Sequence, residues 1–250
     1  MLTLTNKTFL ITGAASGLGR ATAIKLSECG ANLVLLDLNK NGLIETKKAC
    51  FEKSEITTLA LDCTKFDDLK DTLDKNIGHG VVNGFVHCAG IPCISPLKAL
   101  NYDTYLKVMQ INTFSGLEIA KWFANKKNHS DDNPSVVFIS SVYGLVGSAG
   151  NVAYAMSKGA VQSMTKALSI ELASKHIRVN CVAPGFMHTK MEGNVSSYFD
   201  ESHQEILNSL HPLGLGEAED VANMIVFLLS DESRWTTGAI ISVDGGFTAQ

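Results

Sequence analysis

Long apolar runs are missing from this chain: none reaches the roughly 18 residues that a membrane-spanning helix needs. The opening Met1-Leu2-Thr3-Leu4-Thr5-Asn6-Lys7 also lacks the basic-then-apolar pattern of a signal peptide, so a cytoplasmic protein with no membrane contact is expected. Charge is scarce. Charged residues make up 18% of the chain and the net charge is −4, which supplies no basic field to gather nucleic acid or anionic membrane. The short basic cluster Lys126-Lys127 is followed at once by Asp131-Asp132 and reads as a solvated loop. The six cysteines (Cys29, Cys50, Cys63, Cys88, Cys93 and Cys181) never occur as Cys-x-x-Cys, and several lie in apolar stretches. They are expected to be reduced, packed thiols. No clustered histidine or carboxylate joins Cys88 and Cys93, so no metal site is expected. Internal repeats, low-complexity tracts and Pro/Gly/Ser-rich linkers are absent too, and residues 1–250 are expected to form one domain.

What is present is an alternation. Apolar runs at 8–11, 32–37, 56–61, 81–87, 135–140, 177–183 and 239–243 read as strands, and helical stretches separate them. Asn32-Leu33-Val34-Leu35-Leu36-Asp37 is apolar almost throughout, as suits a parallel strand covered on both faces. About seven such strands alternating with helices predict an α/β fold: an open, doubly wound Rossmann-type sheet with helices on both sides.

The first strand runs into Thr12-Gly13-Ala14-Ala15-Ser16-Gly17-Leu18-Gly19. Glycines there allow a tight turn, close backbone approach to a pyrophosphate and close helix–strand packing. The spacing is Gly-x-x-x-Gly-x-Gly, which departs from the Gly-x-Gly-x-x-Gly dinucleotide fingerprint, yet strand and helix flank it as a nucleotide turn requires. Asp37 ends the second strand, eighteen residues after Gly19. An acid there accepts hydrogen bonds from ribose hydroxyls and repels a 2′-phosphate; its plainer role is a turn residue before Asn39. Positions 14–16 carry no arginine, and Arg20 is expected to begin the helix. NAD(H) is therefore favoured over NADP(H).

Tyr154 and Lys158 stand four residues apart, with Ser141 thirteen residues before the tyrosine. A tyrosine is a poor acid–base group near neutrality because its ordinary pKa is about 10. An ammonium one helical turn away favours the phenolate. On a helix such a pair is more often a surface contact, and its company decides the reading.

That company resembles the short-chain dehydrogenase/reductase family, in its compact branch, across essentially the whole chain. The resemblance implies a cofactor site of Gly13, Ser16, Gly17, Leu18, Gly19, Asp37, Asp62, Cys63, Ala89, Gly90, Tyr154, Lys158, Pro184, Gly185, Met187 and Thr189. It further implies a catalytic set of Asn112, Ser141, Tyr154 and Lys158. In that set Tyr154 exchanges a proton with the substrate oxygen, Lys158 lowers its pKa and binds the nicotinamide ribose, and Ser141 orients the oxygen. Asn112 holds a water linking Lys158 to solvent. The expected reaction is hydride transfer between the nicotinamide and a carbinol or carbonyl carbon. One departure stands out: His87-Cys88-Ala89-Gly90 has Cys88 where the family has a sheet-bracing asparagine. A thiol hydrogen-bonds weakly, so the bracing must differ. His87 is expected to be packed at a strand end, with a proton relay as its alternative.

The segment 186–212, with Met191, Val195, Tyr198, Phe199, Ile206 and Leu207, resembles a substrate lid. His188 and His203 within it are expected to be exposed loop residues. The pattern as a whole is similar to 3-oxoacyl-carrier-protein reductases, with Pro212-Leu213-Gly214 and Glu219-Asp220-Val221-Ala222 among the matching stretches. Asp37 argues against their usual NADPH, and the loop before Ser141 carries Asp131 and Asp132 where an acidic carrier would need bases. A small-molecule secondary alcohol or ketone is therefore preferred as substrate. A nucleotide-sensing protein without turnover is the remaining class, and the complete set of four residues argues against it. Relatives are commonly tetramers through helices near 103–126 and 152–174, so a tetramer or dimer is expected.

Overall fold

A computed structural model describes residues 2–77, 82–188 and 209–250. Seven parallel strands form one sheet in the order β3-β2-β1-β4-β5-β6-β9. They are β1 (Thr8–Thr12), β2 (Asn32–Asp37), β3 (Ile56–Ala60), β4 (Val82–His87), β5 (Ser135–Ile139), β6 (Arg178–Pro184) and β9 (Ile240–Val243). Two short strands, β7 (Met187–His188) and β8 (Gly216–Glu217), pair separately beside the sheet. The helices are α1 (Gly17–Glu28), α2 (Lys40–Ala49), α3 (Phe66–Asn76), α4 (Tyr102–Met109), α5 (Ser115–Phe123), α6 (Val152–Glu171) and α7 (Ala218–Leu229). This is the doubly wound architecture that the alternating pattern predicts.

Successive side chains on a strand leave by opposite faces, and the apolar runs use both. Phe9 and Ile11 of β1, with Leu33 and Leu35 of β2, pack with Ala23 and Leu26 of α1, Leu43 of α2 and Ile225 of α7. Leu10, Val34 and Leu36 turn the other way, to Leu69 and Leu73 of α3, Phe123 of α5 and Val161 of α6. Order reverses between β1 and β4, so their carboxyl ends flank the crevice where open α/β sheets bind ligands. Thr12 and His87 are register partners at the floor of that crevice.

The helix expected near 103–126 is interrupted. Residues Gln110–Phe114 form a π turn between α4 and α5, which swings Asn112 and Thr113 inward to full burial. Ile119, Trp122, Phe123 and Val161, on the stretches near 103–126 and 152–174, belong to the core. Tyr102, Phe114, Val152, Met156 and Ile170 are the large apolar side chains left exposed along these stretches. All six cysteines are free thiols. Among the described residues, no helix is long and apolar enough to cross a membrane.

Candidate active site

The glycine turn is built by close contacts. A β-carbon on Gly19 would stand 2.1 Å from the Gly13 carbonyl oxygen, and one on Gly13 would stand 2.8 Å from the Ala89 nitrogen. Gly17, at φ +50°, instead faces open space. Helix α1 starts there without a side-chain cap at Ser16 and without an acid in its first turn. Its amino-terminal N–H groups and positive dipole end are thus available to an anion. Leu18 packs beside the core, and Ser16 is exposed. Tight behind and open in front, this cradle fits a dinucleotide pyrophosphate.

Asp37 lies next to the cradle. One carboxylate oxygen accepts from Ala15 N–H at 3.0 Å, and the other accepts from Asn39 N–H at 2.8 Å. The turn role and the placement beside the glycine turn are therefore both realised in one side chain. Arg20 lies within α1, and its guanidinium is committed to Ala15 O, Gly42 O and Thr46 Oγ1. Asp62, past the end of β3, accepts from the backbone N–H and hydroxyl of Thr64, and those bonds hold its carboxyl below the usual range. Burial raises the neighbouring Cys63 thiol. On the far side, Gly185 donates to Val243 O, and a β-carbon there would lie 2.8 Å from Asp244 Cα. Buried Pro184 ends β6, and half-buried Met187 packs against the core. Thr189 lies outside the described residues, as does most of the expected lid, including His203. His188 is exposed in β7.

Ser141, Tyr154 and Lys158 converge at the carboxyl end of β5. Ser141 follows that strand and accepts from Tyr143 N–H at 3.2 Å. Tyr154 and Lys158 project from the first two turns of α6. The Lys158 ammonium lies 5.6 Å from the centre of the Tyr154 ring and donates to Ile139 O at 2.9 Å. Burial lowers the lysine pKa to about 8. The phenol departs from expectation: burial raises its pKa, Ser141 lowers it, and Tyr143 raises it further. Helical spacing brings Lys158 to the ring, but its charge is directed to a carbonyl rather than to the phenol oxygen.

Asn112 is buried, and both amide protons and one lone pair of its carboxamide oxygen are engaged. It accepts from Ile91 N–H at 2.8 Å and donates to Ile91 O and Ser157 Oγ. The point where a Gly90 β-carbon would stand is 3.4 Å from Asn112 Oδ1 and 3.5 Å from Lys158 Nζ. Glycine at 90 thus leaves the gap between those two groups open. Ala89 donates its backbone N–H to Thr12 Oγ1 at the end of β1.

Four positions that sequence reasoning passed over support this arrangement. Ser140 Oγ donates to Lys158 O and accepts from Gln162 Nε2, tying β5 to α6. Gly144 makes the approach possible, since a β-carbon would stand 2.6 Å from Gln162 Nε2. Ser157 joins Asn112 to the Tyr154 carbonyl. The signal for Gln162 was its position one turn beyond Lys158 on the same face. Among the described residues, no group of three or more His, Cys, Asp or Glu is placed to hold a metal ion.

Residues 13–248 match the family model described as enoyl-(acyl carrier protein) reductase. The 3-oxoacyl-[acyl-carrier-protein] reductase FabG of Thermotoga maritima is 36% identical over 249 residues, covering 97% of this chain and 98% of its own. A solved 4-hydroxyisoleucine dehydrogenase complexed with NADH has a TM-score of 0.88 at 28% identity, covering 98% of this chain and 100% of that one. A solved Agrobacterium tumefaciens protein with bound NADP has a TM-score of 0.86 at 28% identity, covering 99% and 98%. The chain belongs to the short-chain dehydrogenase/reductase family, whose members are oxidoreductases acting on CH–OH groups.

Proposed function

We propose that this chain interconverts a secondary alcohol and a ketone on a small-molecule substrate, using NAD(H), with Tyr154 as the proton-transfer group. The observation that carries the reading is the convergence of Ser141, Tyr154 and Lys158 beside the open face of the glycine cradle. A bound nicotinamide cofactor supplies hydride transfer. The chain's own residues do the rest. Ser141 holds the substrate oxygen and stabilises its developing charge. Tyr154, whose phenol is kept protonated by burial, gives its proton to that oxygen in reduction; in oxidation the same group acts as phenolate and takes the hydroxyl proton. Lys158, whose ammonium here donates to Ile139 O, would bind the nicotinamide ribose and, 5.6 Å from the ring centre, favour the phenolate once it forms. Across the gap at Gly90, Asn112 supports the path that returns a proton from solvent.

NADH in one structural neighbour and NADP in another leave the cofactor choice to this chain's residues. Asp37 faces the glycine turn, accepting from Ala15 N–H, and Arg20 is spent on three oxygens. Both features favour ribose hydroxyls over a 2′-phosphate. Reduction of a 3-oxoacyl group on a carrier protein is the second reading, favoured by the similarity to the Thermotoga maritima enzyme. Lys126, Lys127 and Lys175 do not bear on it: they lie beside the starts of β5 and β6, at the opposite end of the sheet from Ser141, and pair with Asp131, Asp74 and the Ala124 carbonyl. Screening secondary alcohols, ketones and 3-oxoacyl thioesters with NAD(H) and NADP(H), with cofactor binding measured in parallel, tests the proposal. NAD-linked turnover of alcohols or ketones is expected. Strict NADPH dependence would overturn the cofactor reading, and cofactor binding without turnover across the whole screen would favour the sensor.

A further inference from the structure

We propose that His87 is a positioning residue, a neutral imidazole that fastens the end of the cofactor strand to the π turn presenting Asn112. Cys88 is poorly suited to brace this strand. Its thiol is a weak hydrogen-bonding group, and burial pushes its pKa up to about 12. The neighbouring His87 is buried in the crevice floor, and both ring nitrogens have partners. Nδ1 is 2.9 Å from Thr12 Oγ1 on β1. Nε2 is 3.2 Å from Ser115 Oγ and 3.3 Å from Ile111 O on the π turn.

Donor counting selects one tautomer. Ser115 donates its hydroxyl proton to Ile111 O at 2.7 Å, so its oxygen is left to accept. Ile111 O can only accept. Both partners of Nε2 therefore require a proton on Nε2. Nδ1 is then bare and accepts from the Thr12 hydroxyl, whose oxygen accepts in turn from Ala89 N–H. The result is one connected chain from Ala89 through Thr12 and His87 to Ile111, the residue preceding Asn112. Moving the proton to Nδ1 would set the Nε2 lone pair against a carbonyl oxygen, a costly arrangement in a buried site.

The surroundings are cut to fit the ring. A β-carbon on Gly116 would stand 2.8 Å from His87 Cδ2. Phe138 packs edge-on at 6.4 Å between ring centres. The ring does not hydrogen-bond Tyr154 or Lys158, so the proton-relay alternative finds no path here. Holding the cofactor strand and the Asn112 turn in register is what the contacts accomplish.

Two measurements test this. In protein with 15N-labelled histidine, the long-range 1H–15N spectrum assigns the tautomer, and loss of the signal in His87→Asn identifies the residue. A single Nε2–H form is expected, unchanged from pH 7.5 to 5. An Nδ1–H form, an averaged pair or a titration near pH 6.5 overturns the proposal. The second measurement is the affinity for NADH and for NADPH in His87→Leu, His87→Asn and His87→Gln. Losing the buried hydrogen bonds in the leucine variant should weaken the preferred cofactor about tenfold. Asparagine retains the Thr12 arm and should recover binding to within about threefold of wild type. Glutamine reaches the Ile111 side alone and should fall between the two. Wild-type affinity in the leucine variant, or equal loss in all three, overturns the proposal. Should the leucine variant not fold, the tautomer and the asparagine–glutamine comparison still decide. Because the tautomer is read without cofactor, an error in the NAD assignment stays separate from an error about His87.

Discussion

Lys158 is a buried ammonium whose one hydrogen bond is to a backbone carbonyl, an arrangement that costs stability while serving a site. Its folded-state pKa, about 8, lies below the ordinary 10.5. Between those values the unfolded chain binds more protons, so this residue's contribution makes stability climb as pH rises from about 8 to 10.5. The increment is lost as pH falls back through 8. Lys158→Met should therefore be inactive yet at least as stable as wild type at pH 7, and the gap should narrow toward pH 10.5, as read by denaturant unfolding. A variant markedly less stable at pH 7 would contradict this. Asp37 makes the second residue-scale test. Asp37→Ala removes the charge that opposes a 2′-phosphate, so the NADH-to-NADPH affinity ratio should fall about tenfold or more; an unchanged ratio in fluorescence titration would show that Asp37 does not select the cofactor. The types and spacing of these residues were legible from the sequence. The aim of the Lys158 ammonium was not, because helical spacing fixes which side chains share a face and leaves the choice of acceptor to the pocket.

At the scale of elements, the glycine turn and α1 act as one rigid unit. Gly19→Ala would drive a β-carbon into the Gly13 carbonyl, at a cost on the order of 3 kcal/mol, and should remove cofactor binding. Gly17→Ala meets no atom within 4 Å, so its cost is confined to the positive φ, about 1 kcal/mol in the unfolding free energy. Equal destabilisation in the two variants would contradict the packing described here. Periodicity exposed the strands because each uses both faces of the sheet, and their boundaries differ from the sequence reading by only a residue or two. The π turn at Gln110–Phe114 was hidden within a run that reads as one helix. Its trace in the sequence is the polar pair Asn112-Thr113 between apolar neighbours, which a regular helix would not have carried so far inward. The pairing of β7 with β8 involves two residues per strand, too few to leave a period.

For the molecule as a whole, the family, the doubly wound sheet and the gathering of Ser141, Tyr154 and Lys158 were all legible, because ordered motifs along one chain constrain one another. Which apolar residues stay at the surface was less so. Apolar residues on α5 and α6 serve the core first, and Tyr102, Phe114, Val152, Met156 and Ile170 are what remains outside. Trp235 is 93% exposed and Leu213 is 87% exposed. Light scattering is expected to give a mass of two or four times 26.8 kDa, and a monomer at micromolar concentration would contradict the expected oligomer. The central claim, that this fold moves a proton at Tyr154 while hydride moves at the cofactor, is tested most directly by Tyr154→Phe. Removing one oxygen leaves the cradle untouched. Turnover of any substrate found for the wild type should be abolished while NADH binding stays within a few-fold. Wild-type-like turnover in the phenylalanine variant would contradict it.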